Sequence, residues 1–326
     1  MTALALRSPF VAPAPPRLST AKFRDPAVTA KGERRAAVAL TRLDTLWFNT
    51  GTLCNLNCLN CYIESTPTND ALVYLTTAEV AAYLDEIAAL GWTVPEIGFT
   101  GGEPFMNPHA PTMIGEALDR GHDALVLTNA MQPMLRPRVK AALLALRLRH
   151  GDRLTLRVSL DHHTAAVHEA ERGEGAWAKA LEGLAWLRDH DFRIAVAGRS
   201  VPGESEAEAR AAFARLFADL QLPLDADDPG QLVVFPEMDV AHDVPEITEA
   251  CWGILGKTPD SVMCASSRMV VRRRGEDRPS VVACTLLPYD PGFDLGPTLS
   301  GATGPVPLNH PHCAKFCVLG GASCSK

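Results

Sequence analysis

The sequence lacks any apolar run that approaches the roughly 20 residues needed to cross a bilayer, and its short apolar start is interrupted by Arg7 and Pro9. It also lacks an excess of basic residues, since it contains 31 Lys and Arg but 38 Asp and Glu, which gives a formal net charge of -7. Binding to nucleic acid phosphates requires concentrated positive charge, which only the short run 272–274 offers. The composition therefore predicts a cytoplasmic, globular protein that binds neither membrane nor nucleic acid.

Cysteine is absent between residues 62 and 250, and the nine cysteines of the chain fall into two groups. Three lie between Cys54 and Cys61, and six lie between Cys251 and Cys324. A secreted domain held together by disulfides would be shorter and would carry its cysteines more evenly. The clustering therefore favours metal ligation in a reducing compartment.

The order of predicted elements indicates an α/β fold. Residues 1–40 are rich in proline and alanine and show no period, which predicts a disordered arm. Over residues 41–240, six strand-like segments alternate with helix-like segments, which predicts βα units around a parallel sheet. The predicted strands are 45–49, 96–100, 124–128, 154–160, 192–197 and 232–235. Residues 241–326 form a smaller, cysteine-rich α+β extension with a predicted hairpin over 269–284.

Cys54, Cys58 and Cys61 have the spacing C-x3-C-x2-C on a loop that follows the first predicted strand. Three thiolates can bind three irons of a 4Fe-4S cluster, and the fourth iron then stays open for a chelating ligand. The alternative is structural zinc, but tetrahedral zinc needs a fourth protein ligand. No further Cys or His lies within the next forty residues. The spacing therefore favours an iron–sulfur site.

A second motif, Gly101-Gly102-Glu103-Pro104, stands where the second predicted strand ends. Glycine lets the backbone come close to a ligand, and Glu103 can accept a hydrogen bond from an ammonium group. Taken alone, a pair of glycines is equally typical of an ordinary turn.

Asp161, His162 and His163 form a third polar group, after the fourth predicted strand. Adjacent side chains of an extended strand point to opposite faces, so the two histidines are not expected to share one metal ion. Asp161 is a candidate contact for a substrate.

Together, the cysteine motif and the Gly-Gly-Glu-Pro segment about forty residues later resemble the radical S-adenosylmethionine (SAM) superfamily. The resemblance continues through Val126-Leu127-Thr128-Asn129, Val158-Ser159-Leu160-Asp161 and Arg172-Gly173, and so covers roughly residues 43–240. It implies a partial (β/α)6 TIM-like barrel and an enzyme that cleaves SAM reductively at a 4Fe-4S cluster. The resulting 5'-deoxyadenosyl radical would abstract hydrogen from a substrate. An external one-electron donor such as a flavodoxin or ferredoxin is also implied.

The resemblance assigns roles to the residues of both motifs. The cluster ligands would be Cys54, Cys58 and Cys61, and the methionyl amino group would be held by Gly101, Gly102 and Glu103.

Four further positions concern the rest of the cofactor. Ser159 would face the ribose or carboxylate, and the planar guanidinium of Arg199 is a candidate partner of the carboxylate, with a surface salt bridge as the alternative. The family usually has an aromatic residue directly before its third cysteine, beside adenine, whereas this chain has Asn60 there. Tyr62, one position after that cysteine, is the candidate replacement.

The second cysteine group is similar to the SPASM or twitch extensions that hold auxiliary iron–sulfur clusters in members of the family. Its candidate ligands are Cys264, Cys284, Cys313, Cys317 and Cys324. Four thiolates suffice for one auxiliary 4Fe-4S cluster, and the sequence does not say which of the five is spare. A structural zinc knuckle is the alternative. Cys251 lies in an apolar run and is interpreted as a buried hydrophobic residue.

The sequence leaves the substrate open. SPASM-like extensions often accompany the modification of ribosomally made peptides, but no separate peptide-recognition segment is evident, so a small metabolite is the second candidate. A non-catalytic protein in which both cysteine groups hold structural zinc is the alternative from a different functional class.

Overall fold

The computed structural model describes residues 7–11, 16–236 and 239–323. Its strands are β1 Ala37–Val38, β2 Thr45–Asn49, β3 Glu96–Thr100, β4 Asp123–Thr128, β5 Leu154–Ser159, β6 Arg193–Arg199, β7 Leu232–Phe235, β8 Ser267–Val271, β9 Ser280–Val282 and β10 Val306–Pro307. Its α-helices are α1 Thr77–Leu90, α2 Ala110–Asp119, α3 Gln132–Leu135, α4 Pro137–His150, α5 Ala165–Arg172, α6 Ala176–Asp189, α7 Glu206–Asp219 and α8 Cys251–Leu255. A π-helix covers Cys313–Leu319. Within these described ranges, no helix combines the length and apolar character that a membrane crossing requires.

Eight strands form one sheet in the order β7-β6-β5-β4-β3-β2-β8-β9. Neighbouring strands from β7 to β8 are parallel, and β9 is antiparallel to β8. The helices α1 to α7 lie in the connections between β2 and β7. The predicted α/β class is confirmed, and the six predicted strands correspond to β2 through β7. The open parallel sheet matches a partial barrel.

The sheet is buried on both faces. Leu46 and Phe48 of β2 belong to the core beneath the helices, whereas Trp47 belongs to a second core beneath the C-terminal segment. In β4, Val126 and Leu125 divide between the two cores in the same way. Because strand side chains alternate between faces, one run of apolar residues fills both cores.

Helix α1 shows how local sequence sets the bounds of an element. Thr76 and Glu79 form a capping box, in which the Thr76 backbone N–H donates to the Glu79 carboxylate at 2.8 Å. The helix ends at Gly91, whose φ of 65° is a left-handed conformation that glycine adopts without strain. Its buried stripe consists of Val80, Tyr83, Leu84 and Ile87.

The N-terminal segment is packed where the structure describes it, which differs from the expected disordered arm. Ser8 and Phe10 are buried, and Arg35 makes a buried ion pair with Glu246 at 2.6 Å. Strand β1 pairs antiparallel with β10. All these partners lie far away along the chain, so no periodicity within the arm could reveal them.

The C-terminal hairpin joins the main sheet. Strands β8 and β9 form the predicted antiparallel pair, but β8 also pairs in parallel with β2, from Thr45 opposite Ser267 to Phe48 opposite Val270. The C-terminal extension therefore shares the sheet of the βα units. Its boundary at residue 241 stays a prediction.

We expect Gly183→Ala to destabilise the fold, because a Cβ at this position of α6 would lie 1.8 Å from the carbonyl oxygen of Ala130. Relieving such overpacking costs about 1–3 kcal/mol. The control is Gly253→Ala in α8, where no heavy atom beyond the chain neighbours and the helix's own backbone lies within 4 Å of the added Cβ and alanine favours the helix. The thermal unfolding midpoint should fall for Gly183→Ala and should not fall for the control. Equal midpoints would contradict the close packing of α6.

Candidate active site

An open cleft lies at the carboxyl ends of the parallel strands, where α/β sheets bind their ligands. Its empty volume is about 870 Å³, open solvent included. The loops after β2, β3, β4 and β5 contribute to it, together with the last residues of β6 and β7. Its polar and cysteine lining includes Cys54, Cys58, Asn60, Cys61, Tyr62, Ser65, Gly101, Gly102, Asn129, Ser159, Asp161, Glu171, Arg172 and Arg199.

The three cysteines of the first motif share this cleft. Cys54 is buried, and Cys58 and Cys61 are half-buried. Backbone N–H groups donate to the sulfurs of Cys54 and Cys61, each at 3.4 Å. Burial raises the pKa of Cys54 to about 12 and the pKa of Cys58 to about 11. These thiols therefore stay protonated near neutral pH unless a metal displaces the proton.

The spacing of the sulfur atoms separates iron–sulfur from zinc. Zinc–sulfur bonds of about 2.3 Å in a tetrahedron bring the sulfurs within about 4 Å of one another, whereas thiolates of a cubane bind different irons and lie further apart. Among the described residues, no three cysteine sulfurs lie within 4.8 Å of one another, and the lining of this cleft contains no other Cys or His. The donor set fits a cubane with one open corner better than a four-ligand zinc site.

Gly101 and Gly102 hold the loop after β3 against the loop after β2. This second loop carries Cys54, Cys58 and Cys61 and is called the cysteine loop below. The Gly102 N–H donates to the Gly51 carbonyl at 2.8 Å, and the Glu103 N–H donates to the Leu53 carbonyl at 3.2 Å. A Cβ on Gly102 would lie 2.3 Å from the Leu53 carbonyl oxygen, so this approach requires glycine. The sequence predicted that the backbone of these glycines comes close to a ligand. The structure shows that it also comes close to the backbone of the cysteine loop.

Glu103 lies behind the wall of the cleft and not in its lining. Its carboxylate accepts hydrogen bonds from the Thr128 hydroxyl at 2.9 Å, the Asn129 N–H at 2.8 Å and the Phe105 N–H at 3.2 Å. Burial raises the pKa of Glu103 to about 7. These contacts fasten the carboxylate to the end of β4, and the expected role of Glu103 in holding the methionyl amino group stays a prediction.

Asp161 forms a buried ion pair on another wall of the cleft. Arg172 donates to its two carboxylate oxygens, from Nε at 2.7 Å and from Nη2 at 2.9 Å. Burial alone would raise the pKa of Asp161, but the Arg172 guanidinium holds that pKa below its usual value. Asp161 therefore stays ionised and paired.

Glu171 is a site residue that the sequence did not single out. Its buried carboxylate accepts hydrogen bonds from the Asn60 N–H at 2.8 Å and the Ser8 hydroxyl at 2.5 Å, and it lies 3.3 Å from Nη1 of Arg199. It thereby links α5 to the cysteine loop, the N-terminal segment and β6. The sequence signal that could have indicated this residue is the pair of charged residues directly before Gly173, since a buried charge needs partners.

The other predicted contacts are also placed. Ser159, Tyr62 and Arg199 line the cleft, and their roles stay predictions. Arg199 pairs with the buried Glu171, and its guanidinium carbon lies 4.3 Å from the centre of the Phe10 ring, so its ion pair is enclosed and does not lie on the surface. Two atoms of the cysteine loop, Asn60 Nδ2 and Ser65 Oγ, are buried with no hydrogen-bond partner in the described ranges. Such atoms mark positions where a bound ligand can supply the missing hydrogen-bond partner.

A family model described as the radical SAM superfamily matches residues 48–216, which is more than half of the chain. The chain belongs to the radical SAM superfamily. The family resemblance in the cysteine and glycine motifs is therefore confirmed. So is the prediction of an enzyme that uses a 4Fe-4S cluster and SAM, and the alternative of a non-catalytic zinc scaffold is excluded.

Two curated radical SAM relatives share part of this chain. The antilisterial bacteriocin subtilosin biosynthesis protein AlbA of Bacillus subtilis (strain 168) is 29% identical over 145 residues, which cover 44% of this chain and 30% of AlbA. The mycofactocin maturase MftC of Mycobacterium ulcerans (strain Agy99) is 31% identical over 146 residues, which cover 44% of this chain and 37% of MftC. The matched region is thus about a third of the length of these relatives.

Solved structures of other proteins share the fold. SuiB of Streptococcus suis bound to S-adenosylmethionine has a TM-score of 0.56 at 10% identity, over 78% of this chain and 63% of SuiB. The protein anSMEcpe with bound AdoMet has a TM-score of 0.54 at 12% identity, over 79% of each chain. At these identities the likeness concerns the fold alone.

Four of the five candidate ligands in the second cysteine group line one small, apolar cavity: Cys264, Cys284, Cys313 and Cys317. Cys324 lies outside the described residues. Cys251 is not in this lining, and its sulfur lies 3.4 Å from both the backbone N and the hydroxyl of Thr248. The structure thus brings together four of the five cysteines that the sequence left undistinguished.

A buried arginine lies beside this cavity. Nη1 of Arg268 donates to the Cys264 carbonyl at 2.6 Å, and Nη2 has no hydrogen-bond partner among the described residues. Burial lowers the pKa of Arg268 to about 10, so it is charged at pH 7. Burial also raises the pKa of Cys264 to about 11. The cation would offset the negative charge of thiolates in the cavity.

His162 and His163 lie side by side, which corrects the expectation that they point to opposite faces. Strand β5 ends at Ser159, so neither histidine follows the alternation of a strand. Their ring centres are 3.9 Å apart, and both rings approach the carboxylate of Glu204, a residue that the sequence did not single out.

We expect Glu171→Gln to loosen the cysteine loop. Glutamine keeps the size of the side chain but loses the charge that accepts from Asn60 and pairs with Arg199, and hydrogen bonds to charged groups contribute about 1.5–3 kcal/mol. An iron chelator should therefore remove iron from the anaerobically prepared variant several-fold faster than from wild type. The control is Glu174→Gln, an exposed position three residues away, which should lose iron at the wild-type rate. Identical rates for both variants would show that Glu171 does not restrain the loop.

Proposed function

We propose that Cys54, Cys58 and Cys61 hold the 4Fe-4S cluster at which this enzyme cleaves SAM reductively, and that the substrate loses a hydrogen atom in the same cleft. When bound, the cluster and SAM supply the electron and the 5'-deoxyadenosyl radical for this chemistry. The observation that carries the proposal is the set of three thiols in one cleft, spaced too widely for zinc and without a fourth Cys or His in the described lining. An external one-electron donor of the flavodoxin or ferredoxin type would deliver the electron.

The residues of the cleft would bind and orient the nucleoside. Gly101 and Gly102 present backbone to the methionyl amino group, since no side chain stands in the way. Ser159 and Tyr62 would contact the ribose and adenine, and Arg199 would pair with the carboxylate through its planar fork. All five line the cleft, which supports these roles.

Three buried ionisable side chains would keep the cleft rigid while it works. Glu103 fixes the end of β4, and the pair of Asp161 with Arg172 fixes the loop after β5. A wall whose polar groups already have partners does not need to reorganise when the reacting groups are brought together.

We further propose a peptide as the substrate. The C-terminal cysteine pattern, which is similar to extensions that accompany peptide modification, supports this class, and so do the names of AlbA and MftC, which concern bacteriocin biosynthesis and mycofactocin maturation. A small metabolite is the second candidate. It is favoured by a similar protein named AdoMet-dependent heme synthase from Nitratidesulfovibrio vulgaris, 29% identical over 144 residues that cover 42% of this chain and 35% of that protein.

The cluster assignment predicts the fate of SAM. Reduced wild-type protein should form 5'-deoxyadenosine slowly even without substrate, as measured by liquid chromatography and mass spectrometry, because the cleft holds both cluster and SAM. Cys58→Ala should abolish the product, since one iron loses its thiolate. The control is Cys251→Ala, which changes a cysteine outside both cavities and should keep the wild-type yield. Undiminished product in Cys58→Ala would refute the ligand assignment.

We also propose that the second cysteine group holds one auxiliary 4Fe-4S cluster. Four observations support it: the shared apolar cavity, the wide spacing of the sulfurs, the adjacent charge of Arg268, and the π-helix that carries Cys313 and Cys317. Helices of this kind are rare in proteins, and those that do occur are often found at functional sites. This cluster would anchor the substrate or accept an electron from the product radical.

The auxiliary cluster predicts an iron count. Anaerobically prepared wild-type protein should contain roughly eight irons per chain, and Cys264→Ala/Cys284→Ala should contain roughly four, because each cubane carries four irons. Colorimetric iron analysis against protein concentration measures both. Cys251→Ala should again match wild type. Unchanged iron in the double variant would remove the auxiliary cluster from the proposal.

A further inference from the structure

His162, His163 and Glu204 form a cluster that the proposed radical chemistry does not use. Within the described ranges, it is the one group of three His, Cys, Asp or Glu residues whose ligand atoms all lie within 4.8 Å of one another. His162 is buried, and the side chains of His163 and Glu204 are 15% and 16% exposed. The cluster is therefore close to solvent but largely enclosed.

Both imidazole rings direct the same nitrogen at one carboxylate. His163 Nε2 lies 3.0 Å from Oε1 of Glu204, and His162 Nε2 lies 3.5 Å from Oε2. That Oε2 atom is buried and has no hydrogen-bond partner in the described ranges. Buried polar atoms without a partner are rare and call for an explanation. A cation between the two nitrogens and the carboxylate would satisfy all three groups.

The chemistry of the donors fits a transition metal. Imidazole nitrogen and carboxylate oxygen are the ligands that Zn²⁺ and related divalent ions take in open sites. Burial lowers the pKa of both His162 and His163, so the rings are neutral at pH 7, the form that binds metal. Nδ1 of His162 lies 2.9 Å from the Thr164 hydroxyl and accepts the Thr164 N–H at 3.1 Å, so contacts within this loop fix the orientation of the ring.

We propose that His162 Nε2, His163 Nε2 and the Glu204 carboxylate bind one divalent transition-metal cation, of which Zn²⁺ is the representative. Three protein ligands leave at least one coordination position for water or for a donor atom of a substrate.

The metal would join two loops at the cleft. His162 directly follows Asp161, which lines the cleft, and Glu204 lies in the loop after β6, whose last residue is Arg199. The Arg199 N–H already donates to the Asp161 carbonyl at 2.8 Å. None of the three proposed ligands is part of the cleft lining. The cation would therefore fasten the loops after β5 and β6 from outside the iron–sulfur site.

The competing arrangement has no metal. In it, each histidine carries a proton on Nε2 and donates to Glu204, and the cluster only stabilises the two loops. The two arrangements differ in metal content, which is directly countable.

The test uses the full chain, prepared anaerobically with its iron–sulfur clusters, equilibrated with Zn²⁺ and then desalted. Mass spectrometry of the metals counts zinc and iron per chain. Wild type should hold about one more zinc than either His163→Gln or Glu204→Gln, at equal iron, because each variant removes one of three ligands. The control is His150→Gln, since His150 lies 3.0 Å from Asp119 but outside the three-residue group, and it should keep the wild-type zinc.

Equal zinc in wild type and in both ligand variants would overturn the proposal in favour of the hydrogen-bonded cluster. Thermal unfolding provides a second measurement that does not depend on either iron–sulfur assignment. Added Zn²⁺ should raise the unfolding midpoint of wild type and His150→Gln and should leave that of His163→Gln and Glu204→Gln unchanged, because only the folded site binds the ion. A rise of equal size in all four proteins would assign the metal to another site and would also overturn the proposal.

Discussion

The close contact between the loops that follow β2 and β3 determines the shape of the candidate site. The two strands run parallel and end opposite each other, with Asn49 beside Thr100, so their loops leave the sheet at the same edge. Backbone then meets backbone, because Gly102 has no side chain to hold the loops apart. The cysteine loop is therefore positioned by peptide groups, which leaves its thiols available for iron.

Burial imposes a second condition on this site. Glu103, Asp161 and Glu171 are almost fully enclosed, and each has hydrogen bonds from backbone or side-chain donors that satisfy its oxygens. An enclosed charge without such partners would destabilise the fold by several kcal/mol. The same contacts tie together the ends of β2, β4 and β5. Stability and the geometry of the cleft thus depend on the same few side chains.

The sequence predicted those features that depend on local pattern. Helix α1 begins and ends where its capping box and Gly91 indicate, and β2, β3 and β7 have the predicted bounds. Features set by distant contacts were not predictable in this way. The packing of Phe10 beneath Arg199, the bonds of Glu171 and the pairing of β8 with β2 all join residues far apart along the chain. The histidine pair differed from expectation because the alternation of a strand holds only as far as the strand extends, and β5 ends before it.

The pairing of β8 with β2 has a consequence for the two groups of sulfur atoms. Cys264 precedes the start of β8, and Cys284 follows the end of β9, which lies beside that start. Cys54, Cys58 and Cys61 follow the opposite end of β2. The two sets of thiols therefore lie at the two ends of one strand pair, separated along it by five residues of β2, or about 17 Å. The ladder of peptide hydrogen bonds between β2 and β8 spans the distance between them. A change in the pairing of these two strands would therefore affect the surroundings of both sets of thiols.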